Sequence, residues 1–141
     1  MESAPIGRTV LVCEDDPAMV RIFQFLLRQQ GIRNVVTTEH GEQIQTLAQT
    51  HQPAIILLDL MMPGKDGLTA LRELKSNDST RAIPVIVVSG KESQEQVQQA
   101  MLAGAIDYVI KPFEPMELGG RIKSFLDSLS ESTTPDIGGM R

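Results

Sequence analysis

Two stretches of the chain, Ala54–Leu58 (AIILL) and Pro84–Val88 (PVIVV), are apolar at every position. A strand with one face in water alternates polar and apolar side chains. An unbroken apolar run of strand length, rich in β-branched residues, suits a strand covered on both faces. Such strands belong to parallel sheets, and parallel neighbours need crossover connections, usually helices. The rest of the chain supplies both. Thr9–Cys13 (TVLVC) is a further apolar run, and Met19, Phe23, Leu26 and Leu27 then repeat at helical spacing. Asp16 is placed to cap that helix, Pro17 to sit in its first turn and Gly31 to end it. Arg33–Thr37 reads as a strand, and His40–His51 as a helix with Ile44, Leu47 and Ala48 inward. After the two apolar runs, Leu68, Leu71 and Leu74 mark one helix. Ser93–Ala103 marks another, with Val97, Ala100 and Met101 inward. Asp107–Ile110 is the last strand. Pro115–Leu129 is the last helix, with Leu118, Ile122, Phe125 and Leu126 inward; its Gly119-Gly120 pair weakens the first turns. Five strands alternating with five helices specify an α/β fold: a parallel sheet, right-handed crossovers and helices on both faces.

At 141 residues the chain suits one domain. Residues 1–8 read as an N-terminal arm, 9–129 as the domain, and 130–141 (SESTTPDIGGMR) as a flexible tail or linker. A net charge of −5 argues against direct DNA binding and against an anionic membrane surface. The single cysteine, Cys13, excludes a disulfide within the chain and fits a reducing compartment. It reads as a small core residue whose thiol pKa the neighbouring acids raise. No run approaches the roughly 18–20 apolar residues of a membrane span, and none resembles a signal peptide. The expected location is the cytoplasm.

In sheets of this kind, ligands bind at the carboxyl ends of the strands. There the sequence places Glu14, Asp15 and Asp16 after the first strand, Asp59 after the third, Ser89 after the fourth, and Lys111 and Pro112 after the fifth. Each alone has an ordinary explanation: acids before a helix cap it, and an Asp after a strand is a turn residue. Their joint placement, one group per strand end, is what points to chemistry. Crowded carboxylates repel, and a cation relieves the repulsion. Oxygen donors without Cys or His favour a hard ion such as Mg²⁺. A carboxylate beside such an ion can attack phosphorus, while the metal and a lysine neutralise the transferring group. His40 and His51, away from that edge, read as surface residues.

The segments VLVCEDDP, LLDLMMPGKDG, VIVVSG and AGAIDYVIKPF, in that order and spacing, resemble the receiver domain of two-component response regulators over about residues 8–129. The resemblance implies a flavodoxin-like, doubly wound five-stranded parallel sheet of order 2-1-3-4-5 with five helices. It implies Asp59 as phosphoacceptor. Mg²⁺ (or Mn²⁺) would be held by Asp15, Asp59 and the main-chain carbonyl of Met61, with Glu14 acting through a water. Lys111 would pair with the phosphoryl group, and Pro112 would follow a cis peptide bond that aims it. Ser89 and Tyr108 would form a switch pair, and Met61 and Lys91 would flank the path of the hydrolytic water. A sensor histidine kinase or histidine phosphotransfer protein would be the donor. The output would go to a downstream protein or a fused output domain, and the last two helices and last strand would allow a dimer.

An alternative of another class is a Mg²⁺-dependent phosphatase with an aspartyl-phosphate intermediate. Those enzymes resemble Asp-x-Asp, and Met61 stands where the second acid would be. A nucleotide-binding domain lacks its Gly-rich turn after the first strand, and acids there repel phosphate. The expectation is therefore a phosphorylation-controlled binding module rather than an enzyme, with only self-phosphorylation and slow self-dephosphorylation.

Overall fold

The computed structural model describes residues 8–90 and 93–133, excepting the side chains of 130–133. Five strands, β1 (Thr9–Cys13), β2 (Asn34–Thr38), β3 (Ile55–Leu58), β4 (Val85–Ser89) and β5 (Asp107–Ile110), form one sheet. The order is β2-β1-β3-β4-β5 with every pair parallel. The helices are α1 (Pro17–Gln29), α2 (Ile44–His51), α3 (Gly67–Ser76), α4 (Gln94–Leu102) and α5 (Pro115–Thr133). This is the doubly wound order that the resemblance implied.

Alternating side chains of the central strands feed two cores. Leu11, Ile56, Leu58, Val85 and Val87 pack with Ile44, Leu71 and Leu74 on one face. Val10, Val12, Ile55, Leu57 and Ile86 pack with Phe23, Leu27, Leu118 and Ile122 on the other. β3 and β4, the strands that the two apolar runs form, are buried at every position.

Departures from the sequence expectation fall at the element ends. β2 starts at Asn34, one residue late, because Asn34 is the partner of Thr9 and Arg33 stays exposed. The second helix opens as a 3-10 turn over Gly41–Gln43 before α2 begins. α4 buries only Ala100 fully; Met101 is 42% exposed rather than inward. What this end of the chain adds to the core is small: Ala100 and Ala105, with Ala103 and Tyr108 only partly buried against it, so the seat beneath α4 is shallow. α5 continues to Thr133, so the first four residues of the expected tail are helical; residues 134–141 lie outside the described residues. Gly119 and Gly120 do not interrupt it. A Cβ at Gly119 would meet Leu26 at an ordinary 3.6 Å, and one at Gly120 would meet nothing within 4 Å.

Candidate functional site

β1 and β3 are neighbours in register, Cys13 opposite Leu58, so their loops leave the sheet side by side. The Asp59 N–H donates to the Cys13 carbonyl at 3.0 Å, extending the ladder by one bond. Carboxylate oxygens of Glu14, Asp15 and Asp59 consequently lie within 4.8 Å of one another. Glu14 is 1% and Asp59 6% exposed, whereas Asp15 faces solvent.

Lys111 reaches this cluster from the end of β5. Its Nζ donates to Glu14 Oε1 at 2.7 Å and to Asp59 Oδ2 at 2.9 Å. The Lys111–Pro112 peptide bond is cis. The other Asp59 oxygen, Oδ1, accepts the Met61 N–H at 2.9 Å. The Met61 side chain points away from the core and is 56% exposed. Asp16 is adjacent but differently employed: its Oδ1 accepts the Ala18 N–H at 3.0 Å and caps α1. Its own N–H donates to Glu14 Oε2 at 3.2 Å.

Burial raises the Glu14 carboxyl pKa despite the opposing pull of Lys111 and the Asp16 N–H, and the charge of Asp59 adds to the rise. For Lys111, burial acts to lower the pKa, but the hydrogen bonds and charges of Glu14 and Asp59 outweigh it and hold the ammonium above the usual lysine value. Two carboxyl groups thus bond one ammonium and a third, that of Asp15, lies beside them, so acids outnumber the cation. The donors are all oxygens, and the exposed Asp15 side leaves room for coordinated water. These features fit a hard divalent cation such as Mg²⁺, which keeps several waters.

Ser89, the last residue of β4, is fully buried. It hydrogen-bonds the phenol of half-buried Tyr108, and burial, with a contribution from the Asp59 charge, raises that phenol's pKa against the effect of the Ser89 bond. Lys91 lies outside the described residues. Cys13 is a buried core residue as expected, but its raised thiol pKa comes from burial, not from the neighbouring acids. His40 and His51 are exposed.

One contributor went unread in the sequence. Thr38, at the end of β2, is 3% exposed, and its carbonyl accepts the Glu14 N–H at 3.0 Å. A polar residue closing an edge strand gives no signal of that contact, which exists only through sheet register.

The sequence profile described as the response regulator receiver domain matches residues 10–123. The phosphate regulon transcriptional regulatory protein PhoB of Escherichia coli is 32% identical over 132 residues, covering 94% of this chain and 57% of that protein. The chain therefore spans a little over half the length of this relative. Among solved structures, the BeF3-activated receiver domain of Klebsiella pneumoniae RstA matches with a TM-score of 0.76 and 27% identity, covering 84% of this chain and 98% of that one. The receiver domain of the sensor histidine kinase PA1611 of Pseudomonas aeruginosa, with a magnesium ion in its active site cleft, matches with a TM-score of 0.76 and 29% identity over 86% of this chain and 98% of that one. By sequence profile, by relatives and by fold, the chain belongs to the receiver domains of two-component response regulators.

Proposed function

We propose that this receiver accepts a phosphoryl group on Asp59 from a phosphohistidine of a sensor kinase or phosphotransfer protein. A carboxylate oxygen of Asp59 forms the new O–P bond as the P–N bond breaks. The electron pair goes to the departing imidazole nitrogen. Asp15, Asp59 and the Met61 main-chain carbonyl are the residues that would hold Mg²⁺, or Mn²⁺, with Glu14 acting through a water. The ion supplies charge neutralisation for the transferring group. Lys111 supplies more from its own side, and Ser89 offers its hydroxyl to a phosphoryl oxygen. Met61, exposed beside Asp59, is apolar and flexible, suited to excluding a hydrolytic water but not to orienting one. With Lys91 it would lengthen the lifetime of the phosphoryl group.

The observation that carries the reading is the Lys111 ammonium held at 2.7 Å and 2.9 Å between Glu14 and Asp59. That arrangement aims a cation at the acceptor oxygen. The output surface we infer is the α4–β5–α5 side, where Met101, Leu102, Ile106, Ile110 and Met116 are exposed. A target protein, a fused output domain or a second copy of the chain would dock there. Incubation with phosphoramidate and Mg²⁺ should add the mass of a single phosphoryl group, and Asp59→Asn should add none. Labelling of the Asn variant at the wild-type level would refute the assignment.

A further inference from the structure

We propose that Thr38 and Gly41, in the turn between β2 and the 3-10 segment, are positioning residues that set the spacing of the two acidic loops. The proposal rests on the reading of those loops as a Mg²⁺ site. Three backbone bonds close a circuit around the site. The Asp59 N–H donates to Cys13 O at 3.0 Å, the Glu14 N–H to Thr38 O at 3.0 Å, and the Gly41 N–H to Pro63 O at 3.2 Å. The first joins the β1 and β3 loops directly. The other two join them a second time by way of the β2 turn.

The turn is itself braced. The buried Thr38 hydroxyl donates to Gln43 Oε1 at 2.6 Å and accepts the His40 N–H at 3.3 Å. Two glycines let the turn and the acceptor loop meet closely, Gly41 against backbone and Gly64 against a side chain. A Cβ at Gly41 would collide with the Lys65 carbonyl oxygen and fall 3.1 Å from its carbonyl carbon. Gly64, at φ +86°, lies under the Glu42 carboxylate, whose Cδ would be 2.8 Å from an added Cβ. None of Glu39, His40 and Glu42 belongs to the group formed by the Glu14, Asp15 and Asp59 carboxylates, so the turn is placed to act on the site through its backbone bonds. Pro63 is two residues beyond Met61, and moving its carbonyl moves the Met61 carbonyl. Carboxylates that repel one another are held at binding distance before any cation arrives, and groups that orient ligands in this way commonly govern metal affinity.

The test is calorimetric titration of Mg²⁺ into the full chain, with thermal unfolding of each variant measured without Mg²⁺. Thr38→Val keeps volume and β-branching but loses the hydroxyl, and should weaken Mg²⁺ binding about tenfold. Thr38→Ser should restore it. Gly41→Ala should weaken it at least as much. Folded Thr38→Val and Gly41→Ala proteins that bind Mg²⁺ like wild type would overturn the proposal, as would a Ser variant as weak as the Val one. If Gly41→Ala does not fold, the Thr38 pair decides alone. Wild-type protein that binds no Mg²⁺ would instead overturn the reading of the site, and this inference with it.

Discussion

Asp15 and Asp16 differ by one position and by the direction of their oxygens. Asp15 Oδ belongs to the carboxylate cluster; Asp16 Oδ1 is occupied by the Ala18 N–H at 3.0 Å. Asp15→Ala should therefore abolish most Mg²⁺ binding with little loss of stability, since it relieves repulsion among acids. Asp16→Ala should bind Mg²⁺ nearly normally yet unfold more easily, by about 1 kcal/mol for a lost N-cap. Calorimetry and denaturant unfolding of the two variants check this crossing; equal Mg²⁺ losses would contradict it. Tyr108 permits a second test at this scale, because the chain has one Tyr and no Trp, so tyrosinate absorbance reports that residue alone. Burial raises its pKa above 10.0. The unfolded chain then releases the phenol proton at lower pH than the folded one. Between those two values the unfolded state binds fewer protons, and stability falls as pH rises. The titration midpoint of the folded protein should lie above 10.0, and Tyr108→Phe should remove the corresponding alkaline loss of stability. A midpoint at or below the ordinary phenol value would mean that the ring is not buried in solution as it is in this structure.

Elements differ in how closely their glycines are packed. Gly67 opens α3, and a Cβ there would lie 2.5 Å from the Leu60 Cα and 2.9 Å from its carbonyl oxygen. That backbone follows Asp59 directly and has no room to yield. Gly67→Ala should cost about 1–3 kcal/mol, the range for overpacking. Gly120, in α5 with open space around it, should behave oppositely, Gly120→Ala stabilising by roughly 0.5–1 kcal/mol through backbone entropy. Denaturant midpoints of the two variants should move in opposite directions; a shared direction would contradict the packing described. The same contrast explains what could be read in advance. Strands β3 and β4 were legible because unbroken apolar runs leave one solution for burial. The acidic edge was legible because four of the five strands, all but β2, end in or lead into a residue of the right chemistry. Met101 was misplaced because helical spacing identifies a face but not the depth of the groove beneath it, here set by alanines. The α5 end was misplaced because Ser130–Thr133 carries no apolar periodicity, yet the helix continues through it. Thr38 and Gly41 were invisible because their contacts are backbone contacts between segments about 25 residues apart.

At the scale of the whole molecule, two cores clamp the sheet, and the helices are unequally held. α3 buries five residues and α4 one, Ala100. On the proposed function, a response to phosphate at Asp59 would meet least resistance at α4, where only Ala100 is fully buried and little packing must be undone. Ser89 stands at the end of β4, fully buried and bonded to Tyr108. On the same reading, a phosphoryl group on Asp59 would draw the Ser89 hydroxyl away from Tyr108 and free the phenol to repack. Converting a population from 1:99 to 99:1 takes about 5.5 kcal/mol of differential stabilisation. Charge-assisted bonds from Ser89 and Lys111 to the phosphoryl oxygens are of the strength to supply much of it. Ser89→Ala leaves Asp15, Asp59 and Lys111 in place, so it should take up phosphate from phosphoramidate to the wild-type extent. It should lose the change in backbone amide resonances of α4 and β5 that follows phosphorylation of the wild type. The two measurements separate acceptance from response: uptake without the spectral change locates the coupling at Ser89. Uptake with a full wild-type change would mean that the phosphoryl group reaches α4 by another path, for which Lys111, just past the end of β5, is the next residue to substitute.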